Sequence, residues 1–154
     1  MLVREATTAE TSGILVCLSA AFEVYRGSNT PAAFADTVLT PETLRRRLQE
    51  MTVFVATEKS GEIVGTIAYS VVNTEEGHIR GMAILPSAQG SGIAARLLTH
   101  AEAYFRQRNC ARISLGTTAP LKRAIRFYER SGFSTSGKVR DFFGMPLYEY
   151  LKAI

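Results

Sequence analysis

The stretch Ile84-Leu85-Pro86-Ser87-Ala88-Gln89-Gly90-Ser91-Gly92-Ile93-Ala94 decides how this chain is read. An apolar run ends at Pro86 and small residues follow. From Gly92 to about Asn109, Ile93, Leu97, Leu98, Ala101, Tyr104 and Phe105 then recur at helical spacing. The stretch is thus a strand, a small-residue loop and the first turn of a helix. The first amides of a helix have no internal acceptor, and the helix dipole adds partial positive charge there. Gly90 and Gly92 carry no Cβ, so an anion can come close to that backbone. A phosphate, or better a pyrophosphate, suits such a turn. The run lacks the Gly-Lys-Ser/Thr ending of a P-loop. It also lacks the third glycine of a dinucleotide fingerprint, and no strand–glycine–helix unit opens the chain.

Upstream, a strand from His78 to Leu85 leads into the loop. Before it, Thr52 to Glu58 and Ile63 to Asn73 read as strands separated by the turns Lys59–Glu62 and Thr74–Gly77. The middle strand is apolar on both faces, as expected of a central strand covered on both sides. Nearer the N-terminus, Leu2 to Ala6 reads as extended. Thr7 and Glu10 form a capping box for a helix carrying Ile14, Leu15, Leu18 and Phe22. Gly27 to Pro31 breaks that helix, and Thr40-Pro41 starts another that runs to about Met51. Arg45, Arg46 and Arg47 on it read as a solvated face. Downstream, Arg112 to Thr117 reads as a strand and Leu121 to Arg130 as a helix closed by Gly132. Two extended stretches follow, about Phe133–Val139 and Leu147–Ala153. The expected fold is an α/β (α+β) domain over residues 1–154, with a mixed, mostly antiparallel sheet of six or seven strands flanked by four helices.

A chain of 154 residues, 46% hydrophobic and 21% charged, suits a single domain. That composition excludes wholesale disorder, a collagen-like fibre and a disulfide-stapled miniprotein. Its longest apolar stretch, Ile14 to Phe22, falls far short of the ~20 residues that cross a bilayer. No secretory pattern is visible around Arg4 and Glu5, so a cytoplasmic protein without membrane association is expected. The net charge of +4 fits an anionic ligand. A nucleic-acid reading would rest on that charge alone, since no basic stripe with interleaved aromatics is evident. Cys17 and Cys110 show neither disulfide nor metal-ligand spacing, and are expected to be reduced, half-buried thiols with no metal site in the chain.

With these residues in view, the loop resembles the acyl-CoA pyrophosphate loop of the GNAT superfamily of N-acetyltransferases, Gln/Arg-x-x-Gly-x-Gly/Ala, which stands here as Gln89-x-x-Gly92-x-Ala94. Ala124-Ile125-Arg126-Phe127-Tyr128-Glu129-Arg130-Ser131-Gly132-Phe133 resembles the family's second signature, Ala-x-x-x-Tyr-x-x-x-Gly-Phe. The element order matches over essentially the whole chain. The resemblance implies splayed central strands. Pantetheine would pair with the backbone of Met82, Ala83 and Ile84, and the amides of Gln89, Gly90, Ser91, Gly92, Ile93, Ala94 and Ala95 would hold the pyrophosphate. Arg96, Lys122, Arg123 and Arg126 are candidates for the nucleotide's remaining phosphate. The family's asparagine at the start of the second-signature helix is replaced by Leu121, which puts one polar contact to the cofactor in doubt.

The chemistry so implied is attack of a primary amine on the thioester of acetyl-CoA. An ammonium cannot attack, and deprotonating an amine of pKa ~10.4 at neutral pH costs about 5 kcal/mol, so a base is needed. Tyr128 matches the family's tyrosine general acid. His78 lies on the cofactor strand where one branch carries its glutamate base; Glu75 and Glu76 are its rivals. Another branch's glutamate is replaced by Gly116. The acceptor, a small-molecule or a peptide or protein amine, would meet Phe22, Tyr25 and Arg26 on one side and Asp141, Phe142, Phe143 and Met145 on the other. A homodimer is compatible with the resemblance. A catalytically silent acyl-CoA-binding sensor is the alternative reading.

Overall fold

In the strand β2 (Thr52–Thr57), Val53 and Val55 point to one side and Phe54 and Ala56 to the other, and all four are buried. A strand apolar on both faces has to be covered twice, and that requirement sets the architecture. The computed structural model describes residues 1–154. Its strands β1 (Leu2–Glu5), β2, β3 (Ile63–Val71), β4 (Glu76–Ile84), β5 (Arg112–Thr117), β6 (Ser134–Phe142) and β7 (Met145–Ala153) form one seven-stranded sheet in the order β1-β2-β3-β4-β5-β7-β6. All neighbouring pairs are antiparallel except β4 and β5, which are parallel.

Helices α1 (Thr11–Phe22) and α3 (Pro41–Glu50) cover one face with a core of Ile14, Cys17, Leu18 and Leu44 against Val53, Val55 and Ala68. Helices α4 (Ile93–Arg106) and α5 (Lys122–Arg130) cover the other, where Leu97, Leu98, Ala101 and Phe105 pack on Phe54, Ile67 and Tyr69. Each fully buried side chain of this kind contributes roughly 1.5–3 kcal/mol. Tyr69 keeps its hydroxyl satisfied by donating to the Leu97 carbonyl at 3.0 Å.

The expected class and strand set hold, with corrections. There are five α-helices rather than four, because α2 (Pro31–Thr37) begins where only a break was expected. Thr30 caps it through the Ala33 amide, and Pro31 occupies its first position, the same device that starts α3. Strand β4 begins at Glu76, inside the expected turn, because Glu76 and Gly77 already pair with β5. The final hairpin turns through Phe143 and Gly144, both at positive φ. Both cysteines are fully buried, and burial raises the Cys17 thiol to about 12.

Gly77 sits where the parallel pair begins. A Cβ there would lie 2.3 Å from the ring of Phe105, which is itself wholly buried. Gly77→Ala is expected to cost about 1–3 kcal/mol by overpacking, read as a lowered urea midpoint. An unchanged midpoint would contradict this packing.

Candidate active site

Strands β4 and β5 pair only through Glu76–Arg112, Gly77–Ile113 and His78–Ser114. Beyond His78 they part, and Ile79 to Ile84 have no neighbour on the β5 side. On the opposite side β4 still pairs with β3, but its register slips between Ala68–Arg80 and Thr66–Ala83, so Gly81 and Met82 together face Ile67. This bulge has Gly81 in the left-handed region, φ +63. A cavity of about 590 Å³ fills the gap, lined by His78 to Met82 from β4 and Leu115 to Thr117 from β5. The expected splay is therefore present.

At the far end of β4 the chain turns through Pro86–Ala88 into the glycine loop. Gly90 and Gly92 have φ +82 and +85, which L side chains rarely adopt. The amide of Gln89 is used within the turn, donating to the Pro86 carbonyl at 3.3 Å. Those of Gly90, Ser91, Gly92, Ile93, Ala94 and Ala95 donate to no protein group; the first helical bond is Arg96 N–H to the Gly92 carbonyl at 3.1 Å. The run of free donors thus begins one residue later than expected. Arg123, on α5, has Nη2 3.9 Å from where a Gly90 side chain would start.

Tyr128 and His78 both line the cavity. Tyr128 is buried by Phe127 and Phe133, yet its hydroxyl bonds to nothing in the protein. Burial pushes its pKa up, so the phenol stays protonated. His78 Nδ1 lies 2.9 Å from Ser114 Oγ, and Ser114 donates to Glu76 Oε2 at 2.9 Å. Arg112 Nε donates to the other oxygen of Glu76 at 2.8 Å. Burial alone would raise Glu76, but the bonds from Arg112 and Ser114 outweigh it and hold the carboxyl below its usual range. The serine's one proton goes to a carboxylate that can only accept, so Nδ1 must be the protonated nitrogen and Nε2 keeps its lone pair. Burial, then Arg80 and Arg140, lower the His78 pKa against the opposing Glu76 and Glu149, so the ring is neutral at pH 7. Glu76 is thus the third member of a chain rather than a rival base. Glu75 pairs with Arg112 at 3.4 Å, outside the cavity.

The acceptor side is partly as expected. Phe22, Tyr25, Asp141 and Phe142 line the cavity, whereas Arg26 pairs with Glu23 and stacks on Phe34, and Phe143 is exposed. Met145 lies outside it. Arg47 is a correction: it is buried, not on a solvated face, and it lines the cavity with Asp36, Glu50 and Arg80. Leu121 lines it too, and nearby Thr117 Oγ1 is a buried oxygen with no partner. No His, Cys, Asp and Glu cluster of metal-holding size occurs, and no helix is long and apolar enough to cross a membrane.

The hydrogen-bond chain fixes a tautomer that can be read directly. Long-range ¹⁵N correlation spectra at pH 7.5 are expected to show His78 protonated at Nδ1, and Ser114→Ala to release that preference. An Nε2–H ring in the unaltered protein would contradict the chain. Because the folded ring protonates only below the ordinary value near 6.5 while the unfolded one protonates there, unfolding takes up a proton below about pH 6.5. Stability from this site therefore falls as the pH drops through that window, and the His78 ring resonances should titrate with a midpoint below 6.5.

Residues 18–133 match the sequence model described as the Acetyltransferase (GNAT) family. The chain is 34% identical over 87 residues to the uncharacterized protein YdhI of Bacillus subtilis (strain 168); the match covers 56% of this chain and 52% of that protein, about half its length. The fold is similar to a ribosomal-protein-alanine N-acetyltransferase from Brucella melitensis, with TM-score 0.76 and 24% identity over 100% of both chains. It is also similar to the PaiA N-acetyltransferase from Thermoplasma acidophilum solved in complex with coenzyme A, with TM-score 0.82 and 15% identity over 99% of this chain and 98% of that one. With the family's sequence model matched over more than half of its length and the parted strands, free-amide loop and buried tyrosine in place, this chain belongs to the GNAT acetyltransferase family.

Proposed function

We propose that the protein is an N-acetyltransferase that moves an acetyl group from acetyl-CoA to a primary amine within a ternary complex. The observation that carries this reading is the parting of β4 from β5 together with the free amides of Gly90 to Ala95 in the loop that follows the same strand. An open strand edge suits an amide-bearing pantetheine chain, and a helix start suits a diphosphate. The partnerless Thr117 hydroxyl at the cavity wall likewise fits a polar ligand. Met82, Ala83 and Ile84 would pair with pantetheine through their backbone, although the Ala83 side chain is buried and its carbonyl lies 3.7 Å from Cys17 Sγ. Gly90 to Ala95 would hold the diphosphate. When bound, the coenzyme supplies a thioester, a carbonyl carbon open to amine attack.

The protein's own residues then divide the proton work. His78, neutral and with Nε2 free, takes a proton from the amine, directly or through water; its Nδ1–H stays fixed on Ser114, and Glu76 stabilises the imidazolium as it forms. Arg80 and Arg140 oppose that charge, which keeps the ring neutral until it acts. Backbone N–H groups at the bulge polarise the thioester carbonyl as the tetrahedral centre develops. Tyr128 donates its hydroxyl proton to the departing thiolate. Burial keeps the phenol protonated, and because Tyr128 lines the cavity with no partner in the protein its hydroxyl is free to donate to a ligand.

Tyr128→Phe is expected to lower kcat at least ~100-fold, as loss of a general acid does, while the affinity for coenzyme A stays within twofold. Thiol release with a broad amine panel and calorimetry with coenzyme A read the two quantities. Coenzyme binding without turnover of any amine by the unaltered protein would favour the silent-sensor reading instead.

A further inference from the structure

The reaction derived above makes no use of Arg47, yet the guanidinium of Arg47 is among the most unusual groups in the cavity. The residue keeps only 8% of its surface exposed, and its side chain makes no hydrogen bond or ion pair within the protein. Its stem runs beside Ile14, Leu18 and Leu44 in the α1–α3 core, and its head reaches the β4 bulge. There Nη1 lies 2.5 Å from where a Gly81 side chain would start, so the bare glycine is what admits it. Burial lowers its pKa to about 10, with Arg80 adding to the fall and Asp36 and Glu50 opposing it; it remains a cation at pH 7.

The carboxylates that act on Arg47 are Asp36 and Glu50, and Glu50, three residues along the same helix and also lining the cavity, forms no ion pair or side-chain hydrogen bond. Asp36 is bound by Arg80, and Asp141 accepts from the Gly144 amide at 3.4 Å. The guanidinium faces the cavity without a hydrogen-bond partner from the protein, and its planar fork matches an oxyanion in two parallel hydrogen bonds. Asp36 and Glu50 act on it electrostatically but neither bonds to the fork, so a bidentate partner is best sought in the ligand. Strand β4 advances about 3.3 Å per residue, so His78 and the bulge stand roughly 10 Å apart. A small amine with an anionic group a few bonds from its nitrogen, plus one bridging water, spans that distance.

We propose that Arg47 is the specificity residue of the acceptor site and that the acceptor is a small amine carrying an oxyanion, a carboxylate above all. The inference rests on the N-acetyltransferase reading for the amine's reaction, but not for the anion's binding. It is tested with amine pairs differing only in the carboxylate, such as phenylalanine with phenethylamine and β-alanine with ethylamine. Aminoalkylphosphonates serve as the phosphorus arm and spermidine as a polycation. The unaltered protein should favour the oxyanion-bearing member at least tenfold in kcat/KM. Arg47→Gln should raise KM for that member at least tenfold more than for its partner, and Arg47→Lys should restore part of the preference. A better rate with phosphonates keeps the oxyanion and moves its class from carbon to phosphorus. Preference for the decarboxylated amines or for spermidine, or an equal loss on both members in Arg47→Gln, overturns the proposal. Should no amine turn over, calorimetry of amino acids and aminophosphonates into the coenzyme-loaded protein decides. Binding that Arg47→Gln abolishes supports the anion site while the transferase reading fails, and absence of binding overturns the anion site itself. If Arg47→Gln does not fold, the preference of the unaltered protein settles the matter.

Discussion

The site depends on one constraint: two parallel strands that pair for three residues and then part. Parallel neighbours are ordinarily buried within α/β sheets, where an unmet edge would leave amides and carbonyls without partners. Here the bulge at Gly81–Met82 turns β4 while its β3 side stays bonded. At the other end of β4, Ile84 meets Ile93 and Leu97 of helix α4 over Gly65 of β3. The strand cannot close on β5 without giving up that bulge or that packing. An edge kept open by packing on both sides is already shaped for a chain with amide groups.

The last rung of the short parallel ladder is His78 with Ser114, so the most rigid part of the strand pair carries the imidazole into the cavity. All four of the chain's members lie on that ladder, Glu76 and His78 on β4 and Arg112 and Ser114 on β5. Tyr128 approaches from α5 on the opposite wall, held between Phe127 and Phe133. His78 and Tyr128 thus reach the same cavity from separate elements, β4 and α5. Burial acts on both, favouring the neutral imidazole and the neutral phenol, with Arg80 and Arg140 adding to the effect at His78.

Much of this was legible in the chain because the signals are local. Gly90 and Gly92 mark positive φ, the heptad-like apolar spacing marks α4, and Tyr128 falls at a fixed offset from Gly132 and Phe133. What escaped is non-local or short. The seven residues of α2 give too little periodicity to read, although Thr30-Pro31 repeats the Thr40-Pro41 start. The partnership of Ser114 with His78 depends on parallel register, which no single strand encodes. Arg47 was readable in principle: Leu44, Arg47 and Leu48 share one helix face by their i, i+3, i+4 spacing, and Leu44 is core. A run of three arginines hid which one turned inward.

Arg47 also bears on how local rules and function divide the molecule. Elsewhere the cores are apolar and satisfied, and the hydroxyl of Tyr69 is bonded as deep polar atoms ordinarily are. The departures gather in one place: an unpaired cation, a hydroxyl without a partner at Thr117, a phenol without a partner at Tyr128 and a strand without a neighbour. Each is costly alone, and a sheet optimised only for stability would pair the strand and exchange the arginine for an apolar residue. Their concentration around one cavity of about 590 Å³ is what a binding site for a polar, charged ligand looks like before the ligand arrives. A polar ligand that met these unpartnered groups would find them already fixed by the fold, with less ordering left to accomplish on binding.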